Sequence, residues 1–480
     1  MVAEFCNKLL IIGQGGIKML SKSVIEDVLL EALSTGGDFA EIFVEDKINN
    51  SLLMIGGKIE KAVSGRDFGI GIRIFNKTNS VYAYTNNSSR ENLLKVAREA
   101  ALALNGVKGD ITLNLMKSEI KSIHNIVLLP SNIEKSEKID LMKRAYFAAK
   151  NYDEVITQVT VRYSDEEQNV LIANTEGLYV EDKRVRTRTA IQTIASRNGE
   201  MQSGFYAPGA HMGFEFYDKI NIEDYAKEAA RIAKTMIYAD YCPSGKMPII
   251  IDNGFGGVIF HEACGHGLEA TSVAKGTSVF AGKIGEKIAS ELVTAIDDGT
   301  IPNAWGSQNV DDEGTPTQKN ILIENGILKG YMVDKLNGRR MGVKSTGSGR
   351  RQSYKYAPTS RMTNTYIANG KFTKEEIIAN TEYGLYAKYM GGGSVDTSTG
   401  DFNFAVMEGY LIKNGKIEKP VRGATLIGNG LEVLKKIDMV GNNLEFGQGM
   451  CGSVSGSIPA NVGQPTIRVQ SMTVGGRKEE

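Results

Sequence analysis

The residues most able to do chemistry in this chain are its scarce histidines and cysteines. There are four of each in 480 residues. His261, Cys264 and His266 all fall in GGVIFHEACGHGLEA, Gly256–Ala270. Imidazole and thiolate are the donors zinc prefers. Glu262, next to the first histidine, is the kind of residue that takes a proton from water beside a metal. The familiar H-E-x-x-H helix sets its histidines four apart on one face. Here they are five apart. At ~100° per residue, a regular α-helix would point them ~140° away from each other. Two backbone devices would bring them together. One is a π-type turn, whose i→i+5 bond returns such positions to one face. The other is a helix end near Gly265, with His266 swinging round between two permissive glycines.

Two histidines do not complete a site, since catalytic zinc normally has three protein ligands and one open position. Cys264 would point away if His261 and His266 converge, and it reads better as a small apolar core residue. His124 and His211 lie in the first half of the chain. Cys451 lies in EFGQGMCGSVSGSIPANVGQPTIRV, a Gly-rich loop between strand-like runs that could hold a thiol in place. Residue types alone leave these candidates open. Gly391, Gly392 and Gly393 carry no side chains, so a peptide could lie close there and pair as an added strand. Recognition through backbone bonds would make specificity broad.

The bulk numbers narrow the class. Apolar content of 41% and charged content of 23% suit a globular protein. A net charge of zero lacks the basic excess of a nucleic-acid binder, so no nucleic-acid partner is expected. No apolar run approaches the ~18 residues of a membrane span. So few thiols form no disulfide framework, and a cytoplasmic protein is expected. GQGGIK, within residues 1–18, lacks the spacing of a phosphate loop and reads as part of an N-terminal extension.

The elements that must position these residues follow from periodicity. SKSVIEDVLLEALSTGG is a helix with a Gly-Gly stop. Strand-like runs follow through FAEIFVED, FGIGIRIF and SVYAYT. Ser88–Glu91 fits a capping box that starts another helix. In RVRTRTAIQTIASRNG, Arg184, Arg186 and Arg188 alternate with smaller residues, as on a solvated sheet face, the alternative being a groove wall that contacts peptide or a partner, and Asn198-Gly199 marks a hairpin. IEDYAKEAARIAKTMIYA is an amphipathic helix, and DYCPSGKMP after it marks a boundary. Beyond it NILIENGILKGYM and GYLIKNGKIEKPV read as Asn-Gly hairpins. The expected fold is α+β. An extension (1–18) and a mixed α/β layered domain (19–242) precede a β-rich domain (243–480) with one metal-site helix.

HEACGHGLEA, GTSVFAGKIGEKIASELVTAIDDGT, DDEGTPTQKNILIENGILKGYMVDKLNGRRMG, GLYAKYMGGGSVD, PVRGATLIGNG and MCGSVSGSIPANVGQPTIRVQSMTVGG together resemble the TldD/PmbA metalloproteases, in particular the TldD branch. The resemblance runs from about Met19 almost to the C-terminus. It implies that H-E-x-x-x-H binds zinc through His261 and His266, that Cys451 is the third ligand, and that Glu262 activates water. It also implies unfolded or short peptides as substrate. The expected partner is a metal-free subunit of the TldE/PmbA type in a heterodimer, with a homodimer as fallback. CGSVSGSIP departs from a more polar family pattern, which touches the surroundings of Cys451 and not the ligand. A thiolate brings negative charge to the metal, so water there is acidified less and the base matters more. His, Cys and a carboxylate favour zinc and also admit iron or cobalt. Two other readings stay open: a non-catalytic partner or scaffold subunit, and a zinc hydrolase of a non-peptide amide.

Overall fold

A computed structural model describes residues 20–104, 113–396 and 398–477. The GQGGIK run and the rest of residues 1–18 lie outside the described residues.

Period-2 alternation builds the first half around one sheet. Its long central strands are Phe39–Ile55, Lys58–Asn76, Ile156–Asn174 and Leu178–Arg197. They pair antiparallel within an eight-stranded sheet. One face is apolar. Ile42, Val44, Ile70 and Ile72 pack under the helices Lys22–Ala32 and Arg90–Leu102. Farther along, Val161, Tyr163, Ile191 and Ala195 pack under Lys135–Lys150 and Ile222–Ile237. At ~25 cal/mol per Å² of apolar area, this burial is what holds helices to sheet.

The other face corrects one sequence expectation. Arg184 and Arg186 are not solvated but only 1% and 3% exposed. The second half of the chain covers them. Arg184 pairs with Asp182 at 3.1 Å and with Asp312, from the DDEG stretch, at 2.5 Å. On the same face Arg73 reaches Glu41 at 2.8 Å and Glu313 at 2.6 Å. Arg351 reaches Glu41 at 2.7 Å. Buried charges are costly when a partner is removed, so these pairs fix how the two halves meet.

The capping box is also corrected. Ser89, not Ser88, caps the helix, and its hydroxyl accepts from Asn92 N at 3.3 Å. Asn87 accepts from Ser89 N at 3.0 Å, which tightens the turn and moves the start along by one residue. Asn92 rather than Glu91 then occupies the third helical position.

The second half holds an eight-stranded and a six-stranded sheet around a shared core. Its sheets begin at Asp240–Tyr241, which pairs with Lys416–Arg422. The Asn-Gly hairpins form with positive φ at both central residues: 48° and 80° at Asn325-Gly326, 51° and 70° at Asn414-Gly415. Asn198-Gly199 does the same at 50° and 80°. That is the backbone a two-residue hairpin demands.

Candidate metal centre

The strand Gly245–Ile251 runs into a short helical segment, beginning with a turn at Gly254–Gly257. A Cβ on Gly257 would stand 2.6 Å from the backbone of Gly463, so glycine lets the segment press against the strand Gly456–Gln464. Val258, Ile259, Phe260, Ala263 and Cys264 pack into the core. Cys264 is therefore a core residue, and burial raises its thiol pKa far from the thiolate range.

His261–Gly265 forms a π-helical turn, in which His266 N–H donates to His261 O. The chain then turns out of the helix at Glu269, whose backbone is extended. The five-residue spacing is thus accommodated by the i→i+5 bond. The rings stand edge to face, with centroids 5.2 Å apart at 85°.

Cys451 comes from the hairpin of Glu445–Ser453 and Gly456–Gln464, where it faces Ile458. Its Sγ lies 3.2 Å from His261 Nε2 and 3.3 Å from His266 Nε2. One donor atom from each of the three residues lies within 4.8 Å of the others. Zinc bonds of about 2.0–2.3 Å at tetrahedral angles separate donors by about 3.3–3.6 Å. The donor set and its spacing fit such an ion. His124 and His211 are elsewhere: they stack on each other at 3.8 Å, and His211 Nδ1 bonds Ser307 O at 3.0 Å.

Electrostatics agree with the geometry. Burial pushes the Cys451 thiol up, but the two imidazoles outweigh it and hold its pKa at about 3. A thiolate is the ligating form. Burial lowers His266, yet Glu269 and the Cys451 sulfur raise it well above its ordinary value. A metal at Nε2 would release that proton.

Two further residues support the cluster. Glu269 Oε1 lies 3.2 Å from His266 Nδ1 and fixes the ring with Nε2 towards the sulfur. The signal was an acid three residues after a histidine. Arg361, fully buried, donates to the Cys451 carbonyl, to Ser455 Oγ at 3.0 Å and to Gly456 O at 2.9 Å. It pins the tip of the hairpin.

Glu262 Oε2 lies 3.7 Å from His266 Nε2, and its side chain is 32% exposed. It lines a cavity of ≈ 200 Å³ with His261, Cys451 and Gly391–Gly393. A larger cavity of ≈ 620 Å³ shares Phe255, Gly391, Gly392, Gly449 and Met450 with it. The three glycines end the strand Tyr383–Val395. Its parallel neighbour pairs only with Leu385–Ala387, so among the described residues that edge is unpaired beside the cavity. A Cβ on Gly392 would meet nothing within 4 Å, whereas one on Gly393 would strike Asn403 O at 2.2 Å.

Three family models match: PmbA/TldA metallopeptidase domain 1 at residues 40–104, the central domain at 128–237 and the C-terminal domain at 244–476. The chain is 40% identical over 459 residues to a metalloprotease TldD homolog of Buchnera aphidicola (subsp. Acyrthosiphon pisum), covering 94% of this chain and 95% of that protein. It belongs to the PmbA/TldD metallopeptidase family. Solved structures carry the same fold. A putative modulator of a DNA gyrase from Thermotoga maritima aligns with TM-score 0.79 at 24% identity, covering 95% of this chain and 100% of that one. TldE from Thermococcus kodakarensis aligns with TM-score 0.74 at 20% identity, covering 94% and 100%. These solved structures share this α+β fold over nearly the whole chain.

Proposed function

We propose that this chain is a zinc-dependent peptidase of the TldD type, acting on unfolded or short peptides. The observation that carries the reading is the convergence of His261, His266 and Cys451 on one point, with Glu262 at the same cavity wall. The two histidines and the thiolate hold the metal. A zinc ion there supplies acidification of a water and polarisation of a peptide carbonyl. Glu262 Oε2 accepts the proton of the attacking water and returns it to the leaving amine nitrogen. Glu269 keeps His266 in the tautomer that offers Nε2. The unpaired edge at Gly391–Gly393 holds the substrate extended by backbone bonds, which reads no side chain and excludes folded proteins.

No helix among the described residues is long and apolar enough to cross a membrane. A cytoplasmic location accords with the few free thiols, of which Cys242, Cys264 and Cys451 are buried. The fold shared with TldE supports a heterodimer with a metal-free subunit of that type.

The test is metal analysis of wild type, Glu262→Ala and Cys451→Ala, with a peptide and casein digest of each. Glu262→Ala should keep zinc and lose hydrolysis by about 10²–10⁴-fold. Cys451→Ala should lose zinc. Full hydrolysis by zinc-loaded Glu262→Ala would sink the assignment of the base.

A further inference from the structure

A third cavity, of ≈ 400 Å³, lies between the N-terminal sheet and the outer side of the Cys451 hairpin. Arg184, Arg186, Arg188, Arg350 and Arg351 line it. Arg184 and Arg351 have carboxylate partners at 2.5 and 2.7 Å. The other three are held by backbone carbonyls. Arg186 donates to Trp305 O and Ser307 O at 3.1 and 3.0 Å. Arg188 donates to Ala207 O and Gln448 O at 3.3 and 2.8 Å. Arg350 donates to Met362 O at 2.5 Å. Among the described residues the one carboxylate paired with any of the three is Glu166, 3.9 Å from Arg186.

A buried guanidinium is normally matched by a counter-charge. Here the match is incomplete, and the Nε atoms of Arg350 and Arg351 are buried with no partner. Both residues are nearly inaccessible, at 1% and 4% exposure. Burial and neighbouring arginines pull Arg350 down to about 9. Burial pulls Arg186 down to about 10 despite Glu166. An anion that enters would relieve the desolvation of both guanidiniums.

The cavity also adjoins the path to the metal centre. Met450, one residue before Cys451, lines this cavity, the ≈ 200 Å³ cavity and the ≈ 620 Å³ cavity. Met450 thus stands between the arginine floor and the cleft, so an acidic group of a peptide in the cleft would lie one side chain away from the guanidiniums. A guanidinium fork matches a carboxylate through two parallel bonds.

We propose that this arginine-floored cavity binds a carboxylate of the peptide substrate, so that acidic peptides are preferred. The proposal rests on the peptidase reading of the neighbouring centre, and it names the substrate class. The carboxylate comes from the peptide C-terminus or from an Asp or Glu side chain.

The test measures binding by calorimetry in the zinc-loaded Glu262→Gln chain, where turnover is blocked. Three peptides of one length are compared: neutral and amidated; neutral with a free C-terminus; amidated with one Asp. The expected result is about tenfold or tighter binding for at least one acidic form, and which form gains identifies the source. Gln308→Glu places a carboxylate on the cavity wall at nearly constant volume and should remove that gain. Arg186→Gln should do the same, with circular-dichroism melting as the fold control. Equal binding of all three peptides overturns the proposal, and so does a gain that survives Gln308→Glu. A wild type that cleaves nothing while the carboxylate gain persists sinks the peptidase reading alone. Cleavage without charge preference sinks this proposal alone. Failure of all three peptides to bind sinks both.

Discussion

Glu269 offers a sharp check on the proposed metal centre because it meets the donor cluster through His266. A full ion pair at the observed 3.2 Å would be worth ~5 kcal/mol at an effective dielectric of 20. A ligating imidazole is neutral, so the pull that remains is that of Nδ1–H on the Glu269 carboxylate, about 1.5–3 kcal/mol once the pair closes into a charge-assisted hydrogen bond. That converts to roughly 10–100-fold in metal affinity, the range typical of partners behind a metal-bound histidine. Glu269→Ala should sit at the upper end. Glu269→Gln keeps an oxygen for Nδ1–H and should lose about tenfold. Glu269 also lies 3.9 Å from the buried Arg361, which keeps its bonds to Ser455, Gly456 and Cys451. The fold should therefore survive. The assay is competition for zinc against a chromogenic chelator, with circular-dichroism melting alongside. If folded Glu269→Ala holds zinc as tightly as wild type, His266 is not oriented by Glu269 and the ligand assignment loses its support.

Other outcomes follow from the same geometry. Gly392→Val meets no atom of the fold but projects into the cleft, so kcat/KM should fall at least tenfold with little change in Tm. Gly393→Ala should instead destabilise by about 1–3 kcal/mol, because its Cβ overlaps Asn403 O, as thermal melts would show. Burial and the nearby Arg186 lower His124 from 6.5 to about 4, and they lower His211 well below 6.5. The unfolded chain then binds more protons, so this stability is complete above pH 6.5 and is lost as pH falls towards about 4. For His124 it is about 3 kcal/mol. Urea midpoints across that window should be flatter for His124→Asn, and an unchanged slope would refute the cause.

The sequence carried the elements whose signal is local. Alternation marked the long strands, and Asn-Gly marked three hairpins. The spacing of His261 and His266 implies a π-type turn or a helix end, and a π turn is what forms. What it did not carry was what lies across from each element. Arg184 and Arg186 alternate like solvent-facing residues, and only the arrival of Asp312, Trp305 and Ser307 on that face buries them. Ser89 displaced Ser88 as the cap because Asn87 tightened the turn, a one-residue matter beneath pattern reading. Residue types also left the third donor open among three residues. The family resemblance pointed to Cys451, and the fold brings it to the histidines. Arg361 bonds the Cys451 and Gly456 carbonyls and the Ser455 hydroxyl, partners that its own residue type does not reveal.

The hairpin that carries Cys451 is gripped from the first half of the chain as well as the second. Arg188 donates to Gln448 O at 2.8 Å and Trp305 Nε1 to Gly449 O at 2.8 Å. The thiolate also lies 190 residues after His261 in the chain. During synthesis, a ribosome that has released both histidines has yet to make the sulfur or the strand that presents it. Until then the growing polypeptide has two of the three donors and no cleft. The order of residues along the chain thus leaves the three-donor cluster incomplete until nearly all of the chain has been made.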